Sequence, residues 1–146
     1  MLTVIQRVSN ANVVVNNIVI GEIQKGIVAL IGIEKGDTEI QAQQLVDKIL
    51  AYRIFADDND KMNLSLCDVN GGLLLIPQFT LAADTQKGTR PSFASSAPPD
   101  IAKPSFEYVV HYAKQVHHTV SCGKFAADMD VTLCNNGPVT FTLKTK

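Results

Sequence analysis

The chain has 146 residues, of which 46% are hydrophobic and 18% are charged, and 13 basic against 14 acidic side chains leave a net charge of −1. This length fits one domain over residues 1–146, and the composition excludes a disordered tail or a coiled coil. A net charge so close to zero argues against a protein that binds along nucleic acid by charge alone, but it allows a protein that binds one end of an RNA.

The longest apolar runs, such as 27–33, fall far short of the roughly 20 residues that a membrane-spanning helix needs. The first ten residues lack the basic and apolar regions of a secretory signal. The three cysteines, Cys67, Cys122 and Cys134, form no CxxC pair, which excludes a zinc ribbon or a thioredoxin motif. We therefore expect a cytoplasmic protein with no membrane segment, whose cysteines are free thiols buried as small hydrophobic residues.

The first part of the chain predicts strands joined by a tight turn. Apolar patterning indicates strands at Leu2–Val8, Asn12–Val15 and Ile18–Ile23. Asn16-Asn17 suits the two-residue hairpin turn between the last two of these strands, because Asn tolerates positive φ. The segment Gly26–Ile33 is apolar on both faces, which predicts a central strand.

A helix follows, because Thr38 and Gln41 fit a capping box in which each side chain satisfies the other's backbone N–H. Its apolar residues share one face at helical spacing, so the helix should pack on a sheet. They are Ile40, Leu45, Val46, Ile49 and Leu50. Beyond it, Asp57–Asp60 reads as a solvated acidic turn, since the Gly and the distal Glu of a calcium loop are missing.

The segment Leu73–Thr80 predicts an apolar strand that lies at an edge or leaves the sheet near Pro77, since proline cannot donate to a ladder. A loop over Ala82–Ala97 then leads to a second helix starting at 98–100, whose start Pro104 should shift or whose axis it should kink. Its expected inner face is Ile101, Phe106, Val109, Val110 and Ala113.

Closing strands are expected at Thr119–Gly123, Met129–Leu133 and Val139–Leu143. The order of elements, with hairpins and few crossovers, predicts an α+β domain with a largely antiparallel sheet. No metal site is expected, because His111 and His118 lie two helical turns, roughly 10 Å, apart and His117 points to another face. No nucleophile elbow or Walker loop is present, so these motifs suggest neither a nucleophile nor a nucleotide cofactor.

Two segments differ from ordinary scaffold. In the first, polar Gln78 and Thr80 flank Phe79 where an apolar strand ends. The second, Asn135–Thr140, is an Asn/Gly/Pro stretch between two predicted strands. On composition alone, this second segment is typical of a hairpin turn.

These segments resemble the motifs of D-aminoacyl-tRNA deacylases. Gln78-Phe79-Thr80 matches the last three positions of that family's Ser-Gln-x-Thr motif. Asn135, Gly137, Pro138 and Thr140 match its Asn-x-Gly-Pro-x-Thr motif. Further short matches follow in order along nearly the whole chain, at Ile5–Val8, Tyr52–Phe55, Lys61–Leu64, Ala83–Thr85, Arg90–Phe93 and Phe125–Met129.

The resemblance implies a barrel-like core with two main helices, and a homodimer with its active site at the subunit interface. It also implies an enzyme that needs no cofactor and hydrolyses the ester between the tRNA 3′-terminal adenosine and a D-amino acid or mischarged glycine. Backbone N–H groups of Phe79 and Thr80 would form the oxyanion site, with Gln78 orienting the strand end or contacting the adenosine. A cis peptide bond joins Gly137 and Pro138 in this reading, and their carbonyls would reject L-aminoacyl groups in the partner's pocket. Met129 would line the adenine pocket.

Three alternatives remain open at this point. Pro77 stands where the family has Ser, and in this it is similar to a related group that removes L-alanine from the wrong tRNA and carries a trans Gly-Pro bond. A dimer that merely holds the tRNA 3′ end is the second alternative. In the third, the Thr80 hydroxyl is a nucleophile, although no histidine or lysine is evidently positioned to activate it. Candidate phosphate contacts are Lys87, Arg90, Lys124 and Lys144.

Overall fold

The computed structural model describes all 146 residues, with one six-stranded sheet, a separate two-stranded hairpin and three α-helices. The strands are β1 Leu2–Val15, β2 Ile18–Ile23, β3 Gly26–Gly32, β4 Phe55–Ala56, β5 Met62–Leu64, β6 Gly72–Pro77, β7 Val120–Cys122 and β8 Asp130–Lys144. The helices are α1 Glu39–Ala51, α2 Leu66–Val69 and α3 Pro99–Val116, and a short 3-10 turn covers Phe79–Ala82.

Strand β1 organises the main sheet. Along one edge it pairs antiparallel with β8, and along the other it pairs antiparallel with β3 and then with β2. Strands β6 and β7 continue the sheet in parallel, and α1 and α3 lie in the crossovers that these pairs require. The Ser121 hydroxyl donates to the Glu22 carbonyl at 3.1 Å, which joins β7 to β2. The predicted α+β fold, with a largely antiparallel, nearly closed sheet and two main helices, is confirmed.

Two predicted strands are one continuous strand, because β1 covers both Leu2–Val8 and Asn12–Val15. The polar pair Ser9-Asn10 is exposed and lies where the register with β8 shifts, so it forms an irregularity and not a turn. The turn at Asn16-Asn17 is confirmed, with φ of 49° and 62°. The central position of β3, between β1 and β6, is also confirmed.

The sheet buries a core on each of its faces. Toward the helices, Ile27, Leu73 and Leu75 pack with α1 and α3. Residues at alternate positions of the same strands, Val28 and Leu74, belong to a second apolar cluster on the opposite face, inside the curved sheet. Both faces of β3 and β6 are therefore apolar, as the sequence of β3 predicted.

The capping box of α1 is confirmed: the Thr38 side chain accepts from the helix backbone and Gln41 accepts from the Thr38 N–H at 2.9 Å. The buried face of each of the helices α1 and α3 differs from the predicted face at one residue. Ile40 is 61% exposed, because it lies one step off the buried series of α1. Ile101 is 49% exposed for the same reason, and Ala102 takes its place in the core. Pro104 does not shift the start of α3, which begins at Pro99.

The acidic turn at Asp57–Asp60 is confirmed and connects β4 to β5, a hairpin that apolar patterning missed. Backbone N–H groups of Lys61 and then Asn59 donate to Asp57 and lower the pKa of its carboxyl. Helix α2 was also not predicted, although Ser65 and Asp68 have the spacing of a capping box and form one in the structure. No helix is long and apolar enough to cross a membrane.

The cysteine prediction is partly wrong. All three thiols are free, but Cys67 and Cys134 are exposed and Cys122 is half-buried. Cys67 lies in the four-residue helix α2, of which only Leu66 is buried, and Cys134 lies on the exposed side of β8. The position of each cysteine within its element, more than residue type, decides its exposure.

Replacing a core side chain of α1 should destabilise the protein far more than replacing an exposed one. Ile49 is fully buried, so Ile49→Ala should lower the free energy of unfolding by about 2–5 kcal/mol. Ile40→Ala removes the same atoms from an exposed site and should cost less than about 1 kcal/mol. Urea denaturation followed by circular dichroism measures both, and equal losses would contradict the assigned helix face.

The ion pair between Glu34 and Lys144 should make stability depend on pH. Burial acts to raise the pKa of Glu34, but hydrogen bonds from Lys144 at 2.8 Å and from the amino terminus outweigh it and lower the pKa below 4.5. Such a carboxylate stabilises the fold above 4.5, and this contribution disappears as pH falls through the lowered pKa.

Glu34→Gln should therefore lower the free energy of unfolding at neutral pH and flatten its decline below about pH 4.5. Lys144→Gln should flatten the same decline in part, because it removes one of the two cationic partners. Urea denaturation from about pH 7 to about pH 3 measures this. Parallel curves for the parent and both variants would exclude the pair as a source of the pH dependence.

Candidate active site

The first candidate segment begins where β6 ends. Pro77 is the last residue of β6 to pair with β3, and the Gln78 N–H donates to the Ile31 carbonyl at 2.8 Å. The predicted departure from the sheet at Pro77 is confirmed, but the strand does not continue to Thr80. Phe79 instead starts a 3-10 turn, which directs the backbone away from the sheet.

This turn leaves two neighbouring backbone donors free. Its hydrogen bonds run from Leu81 N–H to the Gln78 carbonyl and from Ala83 N–H to the Thr80 carbonyl. The N–H groups of Phe79 and Thr80 come before the first donor of this series and have no acceptor within the turn. Both residues are exposed. Two adjacent N–H groups of this kind can bind an oxygen that becomes negatively charged during a reaction.

The side chains of this segment contact one another and a neighbouring loop. The Gln78 amide donates to the Thr80 hydroxyl oxygen at 2.6 Å. The Phe79 ring is 59% exposed and packs on Phe93 at 5.3 Å between ring centroids. An amide cannot accept a proton at neutral pH, so Gln78 does not activate the Thr80 hydroxyl as a nucleophile.

The second candidate segment is not a hairpin turn. Apart from Met129, which precedes β8, the strands predicted at Met129–Leu133 and Val139–Leu143 both belong to β8 and pair with β1. The register pairs Val8 with Asn135 and Gln6 with Thr140, so Arg7 alone faces the four residues 136–139. The three surplus residues have no place in the ladder, and residues 136–139 form a bulge on the sheet. Asn136, Gly137 and Pro138 are all exposed.

Arg7 fastens this bulge to the body of the protein. Its Nε donates to the Asn136 carbonyl at 3.0 Å, and its Nη1 donates to the Ile54 carbonyl at 2.7 Å. Gly137 has φ +135°, and a Cβ there would lie 2.7 Å from Val139 Cγ2 and 3.1 Å from Arg7 Nη2, so only glycine fits. The peptide bond between Gly137 and Pro138 is cis.

Met129 lies close to the end of β6. The Lys124 N–H donates to its Sδ at 3.4 Å. A Cβ built at Gly123 would be 2.7 Å from this sulfur and 3.3 Å from Pro77 Cδ, so Met129 and Pro77 flank the same point. Beside them runs a groove of about 420 Å³ between α3 and the segment after β7. Its lining includes Phe106, Phe125, Lys103, Glu107 and Lys124.

The structure brings Gln78, Phe79, Thr80 and Met129 to one region but leaves Gly137 and Pro138 apart. Gln78 bonds to Ile31, which pairs with Thr3, whereas the bulge faces Arg7. Four residues of β1 separate these levels, which is roughly 13 Å. β6 and β8 are also separated by β3 and β1 across the sheet. No hydrogen bond within the chain joins the two candidate segments.

The rings of His117 and His118, which follow the end of α3, lie 5.0 Å apart, but the three histidines do not form a metal site. The buried His117 ring lies with Nε2 2.7 Å from the Gly71 carbonyl, while His111 and His118 are exposed. No group of three or more His, Cys, Asp or Glu side chains could hold a metal ion. Among the predicted phosphate contacts, Lys144 is occupied by Glu34. Sequence reasoning missed the clamp formed by Arg7, whose only signal is an arginine inside an apolar strand.

Comparison with known proteins supports the resemblance. The family described as D-Tyr-tRNA(Tyr) deacylase matches residues 4–144. A D-aminoacyl-tRNA deacylase of Pseudoalteromonas translucida (strain TAC 125) is 57% identical over 143 residues, 98% of this chain and 99% of that one. The corresponding protein of Herminiimonas arsenicoxydans is 54% identical over 146 residues, 100% of this chain and 98% of that one.

Two solved structures have the same fold. The c-Myc DNA Unwinding Element Binding Protein superposes with a TM-score of 0.95 at 34% identity, over 100% of this chain and 99% of that chain. A probable eukaryotic D-amino acid tRNA deacylase superposes with a TM-score of 0.81 at 15% identity, over 99% of this chain and 98% of that chain, a likeness in fold alone. From the match over residues 4–144 and the identity to curated relatives, this chain belongs to the D-aminoacyl-tRNA deacylase family.

Proposed function

We propose that this chain hydrolyses the ester between a D-amino acid and the 3′-terminal adenosine of tRNA, releasing the free amino acid and tRNA. Glycine mischarged on tRNA is a second substrate, and the enzyme proofreads translation in the cytoplasm. Family membership supports the reaction. The observation that carries the proposal is the bulge at 136–139, which lies outside the sheet ladder and exposes Asn136, Gly137 and Pro138.

The bulge acts as the chiral filter. The carbonyl oxygens of Gly137 and Pro138 accept hydrogen bonds from the ammonium group of the substrate. Held at this distance from the backbone, the α-carbon has room for a hydrogen atom but not for an L side chain, so selection works by exclusion. A D side chain points away from the filter, and glycine has no side chain to exclude. Arg7 supports this role because it limits movement of the bulge.

The active site is shared between two copies of the chain. The bulge and the Phe79–Thr80 donors lie on different strands, with roughly 13 Å between their levels along β1. A symmetric homodimer places the bulge of each copy against the donors of the other and forms two equal sites. The filter and the catalytic groups then meet only after assembly.

Catalysis depends on the backbone. The N–H groups of Phe79 and Thr80 bind the carbonyl oxygen of the ester as it gains negative charge, and each such donor contributes roughly 2.7–4 kcal/mol. Water attacks the carbonyl carbon, the bond to the 3′ oxygen breaks, and that oxygen leaves as a hydroxyl. The 2′-hydroxyl of the same adenosine activates the water, because the Thr80 hydroxyl has only Gln78 as its hydrogen-bond partner.

The terminal adenosine occupies the region of Met129. Its half-buried thioether next to Pro77 offers an apolar wall for the adenine, and the adjoining groove supplies aromatic and cationic side chains. Gln78 orients the strand end beside the adenosine. The tRNA phosphates that follow are contacted by exposed cations of this end of the molecule, for which Lys87, Arg90 and Lys124 are candidates.

Hydrolysis of paired D- and L-tyrosyl-tRNA tests the proposed function. D-tyrosyl-tRNA and glycyl-tRNA should be consumed with substrate in large excess over enzyme, while L-tyrosyl-tRNA is spared. Binding without turnover would support the module that only holds the 3′ end. Because Pro77 is shared with the group that removes L-alanine, L-alanyl-tRNA is included, and its preferential hydrolysis would replace the D-specific assignment.

Removing the Phe79 N–H should cost more than removing the Phe79 ring. Phe79→Pro deletes the donor at the first position of a helical turn, where proline is tolerated. We expect a loss of about 100-fold to 1,000-fold in kcat on D-tyrosyl-tRNA. Phe79→Ala keeps the donor and should lose far less. Single-turnover kinetics measure both variants, and equal losses would remove the backbone donor from the mechanism.

Mixing Phe79→Pro with Gly137→Ala should restore hydrolysis of D-tyrosyl-tRNA if the site is shared, because the first variant lacks an oxyanion donor and the second displaces the carbonyl groups that bind the substrate ammonium. In a heterodimer of Phe79→Pro and Gly137→Ala chains, one site combines both defects and the other combines two unaltered segments. Equal mixing after denaturation and refolding should recover roughly one quarter of the parent activity. Analytical ultracentrifugation verifies that dimers form. No recovery from mixed dimers would mean that each chain builds its own site.

A further inference from the structure

The side chain of Asn135 closes the base of the bulge. Asn135 precedes the four bulged residues, and its Oδ1 accepts from the Val139 N–H at 3.0 Å. Its Nδ2 donates to the Thr140 hydroxyl oxygen, also at 3.0 Å. One amide therefore bonds to the last residue of the bulge and to the first residue beyond it.

The orientation of this amide is determined by its partners. The Val139 N–H can only donate, so the oxygen of the amide must face it and the nitrogen must face Thr140. Thr140 Oγ1 also accepts from Gln6 Nε2 on β1 at 3.3 Å. A hydroxyl oxygen can accept two hydrogen bonds, so Thr140 joins the Asn135 amide to the neighbouring strand.

We infer that Asn135, acting through Val139 and Thr140, is the positioning residue that sets the conformation of the Gly137–Pro138 filter. This inference rests on the proposed function. Arg7 and Asn135 have different contacts. Arg7 connects the bulge to the Ile54 carbonyl, which lies outside the bulge. Asn135 bonds only across the base of the bulge, so it sets the path of residues 136–139 relative to β8 itself.

The Asn135 side chain bonds only to Val139 and Thr140 and supplies no donor to the ester oxygen, so its loss should alter chiral selection more than ester hydrolysis. A filter with a mobile base no longer excludes an L side chain by a fixed distance. Loss of Asn135 should therefore raise hydrolysis of L-tyrosyl-tRNA relative to D-tyrosyl-tRNA. A residue needed only for folding would lower both reactions together.

Four variants separate the contacts of this network. Asn135→Ala removes both hydrogen bonds and should reduce the ratio of D to L kcat/KM by about tenfold or more, the equivalent of one or two hydrogen bonds. Asn135→Asp keeps the acceptor for the Val139 N–H and should retain more of the ratio than Asn135→Ala. Thr140→Val should lose discrimination and Thr140→Ser should keep it. Asn10→Ala, at an exposed site elsewhere on β1, is the matched control.

Amide hydrogen exchange of Val139 supplies a readout that does not depend on activity. The Val139 N–H should be protected in the parent and in Asn135→Asp, and should exchange rapidly in Asn135→Ala. Thermal denaturation identifies variants that fail to fold, and Asn135→Asp then carries the comparison with the parent. Unchanged Val139 protection, or an unchanged D to L ratio in a folded Asn135→Ala protein, would overturn the inference. A parent that hydrolyses neither substrate but protects Val139 would refute the proposed function alone.

Discussion

The pairing of β1 with β8 is the constraint on which the candidate site depends. Both strands are long and in register at their two ends, yet one residue of β1 faces four residues of β8 in between. The surplus backbone cannot enter the ladder and has to leave the sheet. The paired segments on either side of the bulge belong to the core sheet, so the sheet forms the base of the bulge. Arg7 donates a hydrogen bond to the Asn136 carbonyl of the bulge.

A second constraint acts where β6 ends. Pro77 cannot donate to the parallel ladder, so β6 stops there and the chain turns away after one more hydrogen bond. The resulting 3-10 turn leaves the N–H groups of Phe79 and Thr80 without acceptors in the turn, and the bulge takes residues 136–139 out of the ladder. Both candidate segments are thus places where a regular ladder is interrupted. In the proposed reaction, one segment offers N–H groups to the ester oxygen and the other offers carbonyl groups to the ammonium group.

Much of the fold followed from pattern alone. The turn at Asn16-Asn17, the capping box at Thr38 and the central position of β3 each depend on local chemistry that neighbouring residues determine. The errors in the predicted strands share a cause. The register between strands that are distant in sequence cannot be predicted from the local sequence. Residues Asn135–Thr140 have the composition of a hairpin turn, and only their pairing with β1 makes them a bulge. The resemblance located the motifs, whereas the clamp of Arg7 needed the three-dimensional contacts.

A recognition surface made of peptide groups has a consequence for how this sequence can change. At Asn136, the group that Arg7 holds is the backbone carbonyl, and at Phe79 the group proposed to act is the backbone N–H. Every residue except proline has both of these groups. The side chains at these two positions can be substituted without changing the backbone atoms presented to a ligand. The strictest requirements fall instead on residues that shape the backbone, such as Gly137 with its positive φ. Divergent relatives can therefore retain one chemistry while sharing few side chains at the point of contact.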